Sequence, residues 1–214
     1  MKNTLKLIEK TYDFLAEEYA EEYTNEHEKK PMDREVLLRF SRELAGRGPV
    51  WDFGCGPGQT TQYLADLGVA ISGMDLSQKL LEQARVLHPG IQFRKGDMLD
   101  LGFDNESIAG IVSFYAIVHF TKKQVEKAFQ EIFRVLKPGG IFLLAFHVGD
   151  ETIRLTEYCG KEVGIDFMFF TTDFITRCLH RVGFKRMDVM EREPYPDVEY
   201  PSRRAYVFAL KQGK

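Results

Sequence analysis

Cysteine is scarce in this chain: only three occur, at positions 55, 159 and 178. They are odd in number, widely spaced and form no Cys-x-x-Cys pair or Cys/His cluster, so neither a disulfide framework nor a zinc site is indicated. Positive charge is not in excess. The 29 Lys and Arg stand against 32 Asp and Glu, a formal charge of −3, and the broad cationic face that grips nucleic acid is missing. No apolar run approaches the ~18 residues of a membrane span, and the opening MKNTLKLIEKTYDF has no apolar signal core. Internal repeats and low-complexity tracts are absent as well. These gaps leave a soluble protein of a reducing compartment, expected to be cytoplasmic, with no membrane partner and with a nucleic-acid partner disfavoured, although a local basic groove stays open. At 214 residues and 44% hydrophobic content it has enough chain for one well-packed domain with a small appendage.

Residues 5–23 read as a helix on which Tyr12, Tyr19 and Tyr23 fall along one stripe with Leu15 and Ala16. A second helix is expected over 31–44, stopped by Gly46 and Gly48. From residue 50 short apolar strands alternate with amphipathic helices: strands at 50–53, 69–74, 91–93, 108–114 and 141–146, and helices at 59–67, 77–87 and 122–136. The fifth strand is expected to begin after a turn at Pro138-Gly139-Gly140. That alternation predicts an α/β, three-layer Rossmann-like sandwich around a mostly parallel sheet. In the tail, a helix over 172–182 precedes strands at 184–191 and 204–210. Their link is too short and too rich in proline for a crossover helix, which predicts an antiparallel C-terminal strand and seven strands in all. Residues 148–170 fit neither pattern and are expected to cover the carboxyl ends of the strands. The division expected is a helical lid over 1–45 and a catalytic domain over 46–214.

Function is written most sharply in Trp51-Asp52-Phe53-Gly54-Cys55-Gly56-Pro57-Gly58, where a strand runs into three alternate glycines ahead of a helix. Glycine there permits positive φ and close approach of a bulky ligand. Asp75, at the end of the next strand, can accept two hydrogen bonds from ribose hydroxyls. A nucleoside-containing cofactor follows. The dinucleotide fingerprint G-x-G-x-x-G is not met, because Gln59 holds its third glycine position. No G-x-x-x-x-G-K-[ST] is present, so the loop is not a P-loop. Asp52 would repel a pyrophosphate and suits a cationic ligand, an adenosyl sulfonium rather than NAD.

On these residues the chain resembles the class I S-adenosylmethionine-dependent methyltransferases, in particular their small soluble members, over roughly half its length. Asp52 to Gly58 resembles the first motif, around the methionine part and the sulfonium. Asp75 resembles the acid that holds the ribose, and Asp97-Met98 the pair beside the adenine. Phe114 to His119 resembles the segment after strand four that lines cofactor and acceptor, and Leu136 to Gly140 the turn before strand five. Tyr12-Asp13-x-x-Ala16-x-x-Tyr19 resembles the family's N-terminal lid segment. The resemblance implies S-adenosylmethionine as cofactor, S-adenosylhomocysteine as product, and no metal. Its implied cofactor contacts are Tyr12, Tyr19, Asp52, Gly54, Cys55, Gly56, Gly58, Thr60, Asp75, Leu76, Gly96, Asp97, Met98, Phe114 and Tyr115.

Methyl transfer from a sulfonium is an in-line displacement that needs alignment and exclusion of water rather than a protein nucleophile. His119, just beyond strand four, is the candidate base if the acceptor must lose a proton, with Tyr115 and Tyr19 as catalytic candidates beside it. His147 follows strand five on the same rim. Arg154, in the expected cover, is a candidate partner for a substrate carboxylate. Ser113-Phe114-Tyr115-Ala116 stands where base-amino methyltransferases commonly carry [Asn/Asp]-Pro-Pro-[Tyr/Phe], which disfavours a nucleic-acid base. A small organic acceptor is expected. Protein or RNA methylation with a partner, or cofactor binding without turnover, are the alternatives, and the sequence leaves monomer and dimer open.

Overall fold

Helix ends fall where side chains satisfy the first free backbone N–H groups. In the computed structural model, which describes residues 4–213, Thr4 Oγ1 accepts from Leu7 N at 3.1 Å and starts α1, Leu5–Tyr23. Pro31 opens α2, Pro31–Leu44. The sheet then begins with β1, Val50–Phe53, followed by α3, Gln59–Asp66, and β2, Ile71–Asp75. Ser77 caps α4, Gln78–Leu87, ahead of β3, Phe93–Lys95, and β4, Ile108–Phe114. Thr121 and Gln124 form a capping box on α5, Lys122–Val135. The chain continues through β5, Leu136–His147, β6, Thr152–Tyr158, and β7, Lys161–Met168. Last come α6, Thr172–Val182, β8, Arg186–Arg192, and β9, Arg204–Leu210.

Seven strands form one sheet in the order β3-β2-β1-β4-β5-β9-β8. The first five run parallel, and β9 is antiparallel to both neighbours, as the short link between 191 and 204 requires. One face carries α5 and α6, whose Phe129, Ile132 and Leu179 pack on Phe53, Ile111 and Phe142. The other carries α2 and α3, with Phe40, Leu44 and Leu64 against Val112, Leu143 and Phe208. Buried strands of a parallel sheet are apolar on both faces, which is why β4 and β5 read as continuous hydrophobic runs. Within 1–45, therefore, α2 belongs to the sandwich and α1 crosses its mouth.

Three features differ from the sequence reading. Residues 148–170 are not irregular: β6 and β7 form a separate antiparallel hairpin. Its two-residue turn, Cys159-Gly160, has φ of 49° and 72° at its two positions, the twist that suits a tight hairpin. Pro138-Gly139-Gly140 does not precede β5 but lies inside it, where the register against β4 shifts between Ile108 and Gly110. β2 and β3 also begin two residues later than their apolar runs, after turns at Gly68 and at Pro89-Gly90.

Gly183 ends α6 with φ of 122°, and a Cβ there would stand 2.6 Å from Phe133 Cζ. Both backbone strain and overpacking oppose a side chain. Gly183→Ala should lower the unfolding free energy by ~1–3 kcal/mol at unchanged m value in urea titrations; a neutral result would contradict this packing.

Candidate cofactor and acceptor site

The strand order reverses between β1 and β4, and at their carboxyl ends lies a cavity of about 600 Å³. Loops from adjacent strands diverge to opposite faces at such a point and leave a crevice between them. Here α1, the β6–β7 hairpin and the 197–200 stretch supply the remaining walls.

Its floor is the glycine loop. Gly54, Gly56 and Gly58 all have positive φ, but for different reasons. A Cβ at Gly54 would lie 2.3 Å from Ala116 Cβ, and one at Gly58 2.9 Å from both His88 and Phe93. Those two glycines are required by packing inside the protein. Gly58 does not line the cavity, contrary to expectation, whereas every other residue singled out from the sequence as a cofactor or catalytic candidate does. Gly56 is the open one, its Cβ position meeting only Tyr19 Cε1 at 3.6 Å and Gln59 Oε1 at 4.0 Å.

Asp75 is oriented by backbone donors: Gly56 N reaches Oδ2 at 2.9 Å and Ser77 N reaches Oδ1 at 2.8 Å. Each oxygen keeps a lone pair, so the carboxylate can still accept from two hydroxyls. Burial raises its pKa above the ordinary carboxylate value. Asp52 is 1% exposed and takes the Thr61 hydroxyl at 2.7 Å. Burial, with a smaller push from Asp75 and Glu26, raises its pKa to about 7. Gln59 Oε1 is buried without a hydrogen-bond partner in the same wall. This side of the cavity therefore offers acceptors and carboxylates, the set that fits a cationic cofactor carrying a ribose.

Leu76, Gly96, Asp97 and Met98 continue the wall. Asp97 Oδ1 accepts from Leu99 N at 2.8 Å, and Met98 is buried beside Gly54. Thr60 donates to or accepts from His27 Nε2 at 3.0 Å, and the Cys55 thiol is buried with Leu81, Ala84 and Phe93. Across from them stands an aromatic wall. Tyr19 lies 5.4 Å from Tyr12, 4.5 Å from Tyr23 and 5.9 Å from Tyr158, centroid to centroid. Electron-rich ring faces of this kind favour a neighbouring cation.

His119 is held at both nitrogens. A carbonyl can only accept, so Nδ1 donates to Asp166 O at 3.1 Å and Nε2 accepts the Tyr12 hydroxyl at 2.8 Å. Burial pushes its pKa down to about 4.

The opposite lobe was not foreseen. Tyr115 has φ of 56°, an uncommon conformation for a large residue, fixed by its N–H donating to Ala145 O at 2.8 Å. Its ring stands 5.6 Å from Lys30 Nζ, 5.6 Å from the Arg204 guanidinium and 5.3 Å from the His147 ring. Beneath it Asp33, with no exposed surface, accepts from Tyr206 Oη at 2.5 Å and Arg192 Nη2 at 3.0 Å. Arg192 also pairs with Glu199. These residues are scattered from 30 to 206: Tyr115 and His147 follow strands whose ends are legible in the sequence, Arg204 is a cation opening the apolar strand RAYVFAL, and Lys30, Asp33, Arg192, Glu199 and Tyr206 carry no local signal. The pair Arg203-Arg204 is split by the strand period, Arg203 outward and Arg204 buried. Arg154, by contrast, pairs with Asp166 at 2.7 Å on the outside of the hairpin and does not line the cavity. Among the described residues no group of three His, Cys, Asp or Glu is disposed to hold a metal.

Fold and floor together define a Rossmann-like protein with a nucleoside-cofactor site at the β1–β4 crevice. Comparison with known proteins narrows this. Residues 50–140 match the methyltransferase domain family model. An uncharacterized methyltransferase of Oceanobacillus iheyensis is 30% identical over 151 residues, covering 70% of this chain and 63% of its own. A SAM-dependent methyltransferase structure from Methanosarcina mazei superposes with a TM-score of 0.68 at 18% identity, over 78% of this chain and 93% of that one. The 4+2 cyclase SpnF shares the fold at a TM-score of 0.71 and 15% identity, over 100% of this chain and 98% of its own. Over residues 50–140 the chain is thus similar to the methyltransferase domain, and its relatives and structural neighbours include S-adenosylmethionine-dependent methyltransferases. It spans about half the length of the curated relatives it matches.

His119 carries a depressed pKa in the fold, so its ring is neutral at pH values where the unfolded chain, near 6.5, begins to protonate. Between those values the unfolded state binds more protons, and this group's contribution to stability is lost as pH falls. Histidine NMR should show no titration of His119 from pH 8 to about 5; a midpoint near ~6.5 would contradict the geometry.

Proposed function

We propose that the protein transfers a methyl group from S-adenosylmethionine to a small organic acceptor, releasing S-adenosylhomocysteine. The observation that carries this reading is the pairing of Gly56 and Asp75 on the floor of a walled cavity, the carboxylate pre-oriented by two backbone N–H groups. The cofactor supplies a methyl group already activated on a sulfonium. The chain's own residues hold and shield. Asp75 accepts the ribose hydroxyls, Asp97 and Met98 flank the adenine, and Asp52 with the tyrosines of α1 counters positive charge. Gly54, Cys55, Thr60, Leu76, Gly96 and Phe114 complete the cofactor wall, and Tyr115 divides it from the acceptor lobe.

His119 acts by orienting Tyr12 rather than by removing a proton, because neither nitrogen is free and its pKa is depressed. α1 and the β6–β7 hairpin serve as the lid that excludes water: Tyr158 donates to Tyr23 Oη at 3.2 Å, and Lys161 donates to Phe14 O at 2.9 Å. A cavity walled on both sides suits a small acceptor better than a polymer chain. Three free cysteines suit a reducing, cytoplasmic setting, and no described helix is long and apolar enough to cross a membrane.

Calorimetry tests the reading. S-adenosylmethionine and S-adenosylhomocysteine should bind at about micromolar Kd, NAD should not, and Asp75→Ala should weaken binding at least tenfold, or ~1.4 kcal/mol. Folded protein that binds neither adenosyl ligand would sink it. Asp52 gives a second expectation. Its folded-state pKa is raised, so the folded protein binds the extra proton and loses stability as pH rises from the ordinary carboxylate value through about 7. Ligand-free Asp52→Asn should melt above wild type at pH 8, with the gap closing near pH 5, while binding the cofactor more weakly.

A further inference from the structure

The lobe behind Tyr115 is chemically unlike the cofactor side, and hydrogen-bond accounting shows how. Arg204 Nη1 donates to Ser202 Oγ at 2.5 Å, and Ser202 Oγ lies 2.8 Å from His147 Nδ1. Ser202 Oγ could also accept from an Nδ1–H, but its own proton would then meet no acceptor among the described residues, so the hydroxyl donates to Nδ1. A neutral imidazole that accepts at Nδ1 carries its proton on Nε2. Burial, then Arg204, Lys30 and Arg192, hold His147 well below its usual pKa, so the neutral form is the one present. No acceptor among the described residues meets Nε2, and His147 lines the cavity. Lys30 adds to this. It is 7% exposed, pairs with Glu26 Oε2 at 2.5 Å, and keeps two further N–H donors at the cavity wall.

The carboxylates nearby are already engaged. Glu26 also accepts from Gln59 at 2.7 Å, Glu199 from Arg192 and from Tyr195 N, and Asp33 sits beneath Tyr206 outside the cavity lining. Glu199 and Asp197 also line the cavity, Glu199 being paired with Arg204 as well at 3.5 Å, and the donors left to the lobe are Lys30 Nζ and His147 Nε2. Beside them the surfaces are flat and apolar: Phe169 stacks on His147 at 4.8 Å and 12°, and Tyr200 closes on Phe169 edge-on at 5.9 Å.

We propose that Lys30, His147 and Arg204 form an oxyanion-recognising corner, and that the acceptor is a small organic acid with a flat apolar body, bound as its carboxylate. This rests on the methyltransferase reading only in calling the ligand an acceptor; the corner itself is complete without cofactor. Lys30 supplies the charged donors and His147 Nε2–H supplies direction, while Arg204, itself paired with Glu199 at 3.5 Å and donating to the Ser202 and Tyr200 carbonyls, fixes Ser202 and hence the imidazole.

Benzoate and its neutral isostere benzamide are the probes, titrated into the full chain with and without S-adenosylhomocysteine. Calorimetry follows affinity, and the His147 ring signal in NMR follows location. Benzoate should bind saturably, at about millimolar Kd or tighter, at least about tenfold better than benzamide, and should move the His147 signal. Lys30→Met should weaken benzoate about tenfold while leaving benzamide and S-adenosylhomocysteine unchanged. Equal binding of the two probes, or no saturable shift at His147 up to about 50 mM benzoate, would overturn the proposal. So would a Lys30→Met protein that loses S-adenosylhomocysteine but keeps benzoate, because Lys30 would then serve the cofactor's own carboxylate. The wild-type comparison needs no variant to fold. Failure of S-adenosylhomocysteine to bind while benzoate still discriminates would remove the methyltransferase reading and leave the corner standing.

Discussion

A carboxylate with no access to water governs much of this architecture. Asp33 is fully buried in the first turn of α2, and an unpaired charge there would cost several kcal/mol. Its partners come from far along the chain: Tyr206 on β9 and Arg192 at the end of β8, with the Tyr115 hydroxyl 3.5 Å away. Satisfying one side chain therefore fixes α2, the two C-terminal strands and the rim of β4 relative to one another. Arg192 passes the constraint on through Glu199, which accepts from Tyr195 N, and Tyr195 Oη in turn accepts from Met32 N at 3.0 Å. The link between β8 and β9 is thus tied down although it has no secondary structure of its own. That link forms one wall of the cavity, so the shape of the acceptor lobe follows from the burial of Asp33.

The same cavity is polar in opposite senses at its two ends. Acceptors collect around the glycine loop, in Asp52, Asp75 and Gln59 Oε1, and donors collect around His147. Water inside a protein is too sparse to screen such a difference, so it acts over several ångströms. A ligand with a cationic centre and one with an anionic group are drawn to different ends, and Tyr115, held in its unusual backbone conformation, stands between them.

Much of this was legible in the sequence because its signals are local. Thr4, Ser77, Thr121 and Thr171 cap helices through their own next turn, and period-two or continuous apolar runs mark β4, β5 and β9. The glycine loop and Asp75 could be read for the same reason, since a strand end, three glycines and an acid are neighbours in the chain. The donor corner could not. Lys30, His147, Ser202 and Arg204 meet only through tertiary packing, and nothing beside each of them in sequence says that it is buried. The hairpin does not stand out in the sequence because it is half exposed on both faces, with Ile165 the one buried residue of its two strands. The turn residues Cys159-Gly160 were its one local cue. Gly58 lies off the cavity lining, and its packing role was not legible because a loop glycine looks alike whether it makes room for a ligand or for Phe93.

The position of β9 bears on how the protein is made. Its seven residues enter between β5 and β8, and Lys211 just beyond them donates to the carbonyls of Phe133 and Leu136 at the α5–β5 junction. As the polypeptide leaves the ribosome, β5 is therefore synthesised long before its outer partner. Its apolar run Ile141–Phe146 stands meanwhile as an open edge, the kind that pairs with the wrong strand or with another chain. Closure waits until residues 204–210 are free of the exit tunnel, which makes the nascent chain, rather than the finished fold, the form most in need of a chaperone.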